Sequence, residues 1–162
     1  MGWVTLTLRK EALDINGNNL EMRDLQLSRN MRVIQKNLSY EQSVFNKSKK
    51  TELAKIKADY DKVKDARPVG SDGKIDTQSE EYATWQQEYA TAKEEYESAK
   101  LEIENYWTDQ NNSAEEESTD RENEIKDEQT TVEAQLESNK TELEVVKEQI
   151  STDIDQSKLD LA

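Results

Sequence analysis

The chain has 162 residues, 36% of them charged and only 33% hydrophobic, with a formal net charge of −14. It contains no cysteine and no histidine, which excludes disulfides, thiol nucleophiles, imidazole bases and the usual zinc and haem ligands. So few apolar residues do not fill a compact globule, yet they suffice for long helices that each bury one stripe, and their regular spacing separates the chain from a disordered one.

No apolar run approaches the ~20 residues of a membrane span. Met1-Gly2-Trp3-Val4-Thr5-Leu6 lacks the basic-then-apolar layout of a signal peptide, and Leu6 stands where a myristoylation signal carries a hydroxyl. Val4, Leu6 and Leu8 alternate with Thr5 and Thr7, the period of a strand, so residues 1–7 are expected as a short extended arm ending at an N-cap. Trp3 is then an anchor for another chain's groove, or folds back over its own helix.

Residues 8–66 predict a long basic helix. Leu13, Leu20, Leu27 and Ile34 recur every seven residues, and Leu38, Phe45, Leu53, Ile56, Tyr60 and Val63 continue the line with a small drift in phase. Ile15, Met22, Leu25, Val33 and Val44 widen the stripe, so this helix is expected to touch more than one neighbour. Asn16-Gly17-Asn18-Asn19 is its weak point, four poor helix formers in succession. Residues 67–79 are a loop, with Pro68, Gly70 and Asp72-Gly73 supplying the turn and Ser79 the next N-cap.

Residues 80–108 carry the clearest pattern. Tyr82, Trp85, Tyr89, Ala92, Tyr96, Ala99, Ile103 and Tyr106 alternate in steps of three and four, which only a helix brings onto one line. Large rings alternate with alanines, so a partner helix approaches closely at Ala92 and Ala99. Residues 109–113, Asp109-Gln110-Asn111-Asn112-Ser113, predict a turn or sharp joint, and Ser113 with Glu116 forms a capping-box pattern. One long helix running through a stutter is the alternative. Residues 114–155 then form an acidic helix whose seam resumes at Ile125, Val132, Leu136, Leu143, Val146 and Ile150, with the polar Asn139 at an inner position that specifies register. Residues 156–162 are expected as a frayed tail. The fold class is all-α: a long antiparallel helical hairpin or a three-helix coiled-coil bundle, preceded by the extended arm.

Charge supports pairing of the two halves. Residues 1–67 hold 14 lysines and arginines against 9 acids, a net of +5, and residues 68–162 hold 8 against 27, a net of −19. Such asymmetry sets partner choice and orientation more than stability, because exposed pairs contribute only ~0–1 kcal/mol.

Little in the chain gathers chemistry. Placing Gly73 at the sixth position of a calcium loop leaves Pro68, Gly70 and Ser79 where oxygen ligands belong, so a plain turn is expected. The acidic run from Glu115 to Glu128 reads as a solvated face. The lysines at 47, 49, 50, 55, 57, 62 and 64 flank Tyr60 as a phosphate-binding patch would, but Glu52, Asp59 and Asp61 interrupt them, which argues against nucleic acid. There is no nucleophile–base set, so no catalytic residue, metal ligand, cofactor or small-molecule substrate is expected. The expected sites are interfaces: Trp3, the seam from Tyr82 to Tyr106, and Leu136, Leu143, Val146 and Ile150.

The opening Trp3-Val4-Thr5-Leu6-Thr7-Leu8-Arg9-Lys10 with Leu13, and the closing run from Val132 to Ile154, resemble small coiled-coil structural proteins of tailed gut bacteriophages (crAss-like) and related gut bacteria. The resemblance implies a virion component of the head, neck, tail or cargo, made in the host cytoplasm, without carrying over any site residue. The expected function is a non-enzymatic structural or assembly protein that forms a homo-oligomer through its heptad seams, beside other structural proteins and away from membranes. Alternatives are a secretion-system or surface-filament subunit or its chaperone, cytoplasmic or secreted, and a helical regulator associated with nucleic acid.

Overall fold

A computed structural model describes residues 2–71 and 73–159, with side chains through Ser157. The described residues form two long helices and no strand: α1 spans Trp3–Asp65 and α2 spans Glu80–Leu159. Their packing falls into two units, one made of Met1–Lys36 with Ser118–Ala162 and the other of Asn37–Glu117.

In the first unit the early part of α1 lies antiparallel to the late part of α2. Arg9 Nε donates to Glu142 Oε1 at 3.0 Å, and Arg23 Nε donates to Glu128 Oε1 at 2.9 Å. Fourteen residues forward on one helix thus meet fourteen residues back on the other, as heptad-matched helices require. The core here is small: Leu6, Leu27, Val132 and Val146 are buried, Val146 to 1% exposure. In the second unit the pairs Gln42–Glu115 (2.8 Å), Phe45–Trp107 (ring centroids 5.5 Å) and Tyr60–Tyr96 (5.0 Å) show the same reversal. That unit has no fully buried apolar side chain among its described residues; half-buried rings do the packing.

Residues 3–7, expected as an extended arm, are the first turns of α1. The Gly2 carbonyl accepts from Thr5 N (2.9 Å) and Leu6 N (3.3 Å), and Thr7 Oγ1 bonds back to Trp3 O at 2.9 Å. The physical reason lies at Leu6. It joins the inward line of Lys10, Leu13, Gly17 and Leu20 in steps of four and three, so the helical period claims it and Val4 and Leu8 turn outward.

Asn16-Gly17-Asn18-Asn19 stays helical, because Gly17 faces α2 at close range. A Cβ on Gly17 would lie 3.0 Å from Asn139 Nδ2. The hairpin turn follows the expected chemistry: Gly73 has φ 76°, and Gly70 N donates to Lys74 O at 2.7 Å. Ser79 caps α2 through Oγ, which accepts from Tyr82 N at 3.2 Å. Asp72, part of the expected turn, lies outside the described residues.

The joint expected at 109–113 is absent: α2 runs through it as helix, so there are two helices rather than three. The less exposed positions explain how. From Tyr82 to Ile103 they step by three and four; then Ile103, Trp107, Asn111, Ala114, Ser118, Glu122 and Ile125 step 4-4-3 twice, and the heptad returns. Eleven residues in three turns is 3.67 per turn, so the stripe stays on its face without underwinding. Helix α1 carries a tract of the same length, Ile34, Leu38, Gln42, Phe45, Lys49, Leu53 and Ile56, again in steps of 4-4-3. The contacts Gln42–Glu115 and Phe45–Trp107 join the two tracts. Helix also continues into the expected frayed tail as far as Leu159, and residues 160–162 lie outside the described ones.

Candidate interaction surfaces

In the second unit the aromatic seam of α2 rests on the end of α1. Tyr60 stacks on Tyr96, its ring 5.7 Å from Tyr89, and Tyr60 Oη donates to Tyr89 Oη at 2.7 Å. That hydrogen bond, then desolvation and the neighbouring Tyr89, Asp61 and Glu97, push the Tyr60 phenol from 10.0 up to about 12. Trp85 stacks on Tyr89 at 5.2 Å, and its Nε1 donates to Val63 O at 2.9 Å. Val63 is in the last turn of α1, whose carbonyls have no partner within the helix, so the indole acts as a C-terminal cap. The Arg67 guanidinium sits over both Tyr82 (5.8 Å) and Trp85 (5.5 Å), where cation–π attraction and the negative helix end favour it together.

Ala92 and Ala99 line a shallow groove of about 260 Å³, bordered by Ile56, Tyr60, Tyr96 and the carboxylates Asp59 and Glu95. Asp59 is held below its usual carboxylate range, first by its hydrogen bond from Lys62 and then by that ammonium's charge. Those groups supply no nucleophile–base pair, and no cluster of three or more metal-ligating side chains occurs among the described residues.

In the first unit Asn139 is the polar centre. It is 6% exposed, accepts at Oδ1 from Asn16 Nδ2 (3.0 Å) and donates from Nδ2 to Leu13 O (2.9 Å). Gln129 donates to Asp24 (3.3 Å) and Ser28 (3.1 Å). Arg9 and Arg23 make inter-helix pairs, whereas Lys62 bonds Asp59 of its own helix.

The expected interface residues divide clearly. Tyr82, Trp85, Tyr89, Ala92, Tyr96, Ala99 and Ile103 are half-buried on one line, as are Leu136, Leu143 and Ile150 beside the buried Val146. Between the helices, Tyr89 and Tyr96 of that seam meet α1 of the same chain at Tyr60, and Trp85 reaches Val63. Tyr106 is off the line at 54% exposure; Trp107 takes its place, against Phe45 and with Nε1 donating to Glu52 Oε2 at 3.0 Å. The 4-4-3 step moves the stripe by one residue there. Trp3 is 55% exposed on the first turn of α1. The α1 partners Phe45, Tyr60 and Arg67 went unpredicted as sites, although Phe45 and Tyr60 lie on the α1 heptad line.

One further surface is open. Val4, Leu8, Ile15, Met22, Leu25 and Val33 of α1 are between 54% and 71% exposed. No helix among the described residues is long and apolar enough to cross a membrane. Comparison with protein-family models, curated proteins and solved structures yields no match.

Proposed function

We propose that this chain is a non-enzymatic assembly protein, an antiparallel coiled coil that serves as a helical building block of a larger body. The observation that carries this reading is the second apolar line of α1, exposed while the first line already packs on α2. Apolar residues on two opposite faces of one helix support a second neighbour beside α2. Matched heptad and 4-4-3 tracts support mutual pairing of the helices as a coiled coil, and Asn139 supports a fixed register. The resemblance of the two ends to structural proteins of tailed gut bacteriophages makes a virion component the specific form of the proposal.

The test is the native mass of the full chain by sedimentation, together with the particle fraction it travels in. Association above the monomer mass and recovery with purified particles are expected. A monomer at high micromolar concentration that is absent from particles overturns the reading.

A further inference from the structure

The open face of α1 has a symmetry that identifies its occupant. Ile15 lies nine residues beyond the buried Leu6, two and a half turns at 3.6 residues per turn, so the two point in opposite directions. Leu8, Ile15 and Met22 recur every seven residues on this outer face, with Val4 one turn before and Val33 three turns after. A depression beside Met22 and Leu25 continues to Gln26 and Arg29. All of these residues belong to one unit of the structure.

We propose that this face binds a second copy of the chain, α1 against α1 in antiparallel orientation, about a two-fold axis passing between Asn18 and Asn19. The inference rests on the assembly reading above and names its first partner. Reversing a second α1 about that axis sets Ile15 opposite the partner copy's Met22, and Val4 opposite its Val33. Apolar side chains therefore meet apolar side chains on both sides of the centre, as an isologous contact demands. Leu8 falls opposite the aliphatic stem of Arg29, which long cationic side chains offer readily.

Charge fixes the direction. Glu11 and Arg29 are eighteen residues apart, five full turns, so they share one edge of the outer face. Neither makes an ion pair among the described residues. In the antiparallel arrangement the two-fold keeps that edge on the same side, and Glu11 of each copy comes within one turn of Arg29 of the other. A parallel two-fold instead carries that edge to opposite sides of the contact, so Glu11 and Arg29 of the two copies gain no such pairing. Self-association through this face is thus directional.

The chain's lack of cysteine makes the test clean. Full-length V4C and V33C chains are mixed, allowed to exchange and oxidised. A mixed V4C–V33C disulfide is expected, without V4C self-linkage, since the two Val4 positions would be ~44 Å apart along the helices. A prevailing V4C self-linked product, or none, overturns the antiparallel dimer. In parallel, I15E/M22E is expected to raise the dimer dissociation constant by about a hundredfold or more, with circular dichroism showing unchanged helicity. E11R and R29E are each expected to weaken the dimer and together to restore it. A dimer indifferent to I15E/M22E overturns this inference but leaves the assembly reading standing on another surface. A wild-type monomer found in particles does the same, whereas a monomer absent from particles overturns both.

Discussion

Replacing Asn139 with alanine probes the antiparallel register at a buried polar anchor. The substitution removes the hydrogen bond to Leu13 O and that from Asn16 Nδ2. At about 1 kcal/mol per net hydrogen bond, the loss is about 2 kcal/mol. Leu13 O keeps the bond of its own helix and Asn16 is exposed, so neither abandoned group adds a large desolvation cost. For a chain of this size that is a fall of about 4–8 °C in melting temperature. Gly17 supplies the control. Its Ala variant gains about 1 kcal/mol of helix propensity, but the new Cβ meets Asn139 Nδ2 at 3.0 Å. In the wild type the gain is therefore cancelled by displacement of the amide; in the N139A background the space is free and the gain appears. Urea denaturation followed by circular dichroism, run as a double-mutant cycle, reads both values. An N139A chain as stable as wild type, or strictly additive effects, refutes the packing of Asn139 against Gly17.

The remaining expectations concern the aromatic end. Tyr60 has a folded-state pKa of about 12 against 10.0, so the neutral phenol is favoured in the fold. Its contribution is whole below pH 10 and is lost as pH rises from 10 toward 12. Wild type is expected to lose melting temperature over that window more steeply than Y60F, and ultraviolet titration should show one late tyrosine that Y60F lacks; identical titrations beyond one chromophore would contradict it. W85F keeps a ring but loses the bond to Val63 O, costing about 1 kcal/mol, with faster hydrogen exchange in the last turn of α1; unchanged exchange there would remove the capping role. Y89S/Y96S deletes rings that face Tyr60 of the same chain and is expected to lower the melting temperature without lowering the native mass. A lowered mass with unchanged melting would place those rings between chains instead.

The long helices, the turn at Pro68 and Gly73, the cap at Ser79 and the line from Tyr82 to Ile103 were legible because apolar or turn-forming residues sit at nearly every diagnostic position. The stretch after Trp107 was not. There the inward line passes through Asn111, Ser118 and Glu122, polar side chains that leave an apolar count silent while the helix continues. Asn111 Nδ2 even bonds back to Trp107 O at 3.0 Å inside the helix. The same 4-4-3 spacing read as drift in α1, because Phe45, Leu53 and Ile56 mark only some of its positions. At the N-terminus the strand-like alternation of Val4, Leu6 and Leu8 is two helix faces seen together: Leu6 inward, its neighbours outward. Which chain the aromatic seam meets is not written in a period at all. It depends on Tyr60 and Val63 falling opposite it after the hairpin turn.

The central claim is that the late part of α2 packs on the early part of α1 within one chain. Spin labels on cysteines placed at Glu11 and Lys140, both exposed and level with the Arg9–Glu142 pair, measure this directly by dipolar spectroscopy. Diluted with unlabelled protein, the doubly labelled chain is expected to show a narrow separation of about two helix diameters, ~20–25 Å. Loss of that short distance on dilution would assign the contact to neighbouring chains and contradict the account.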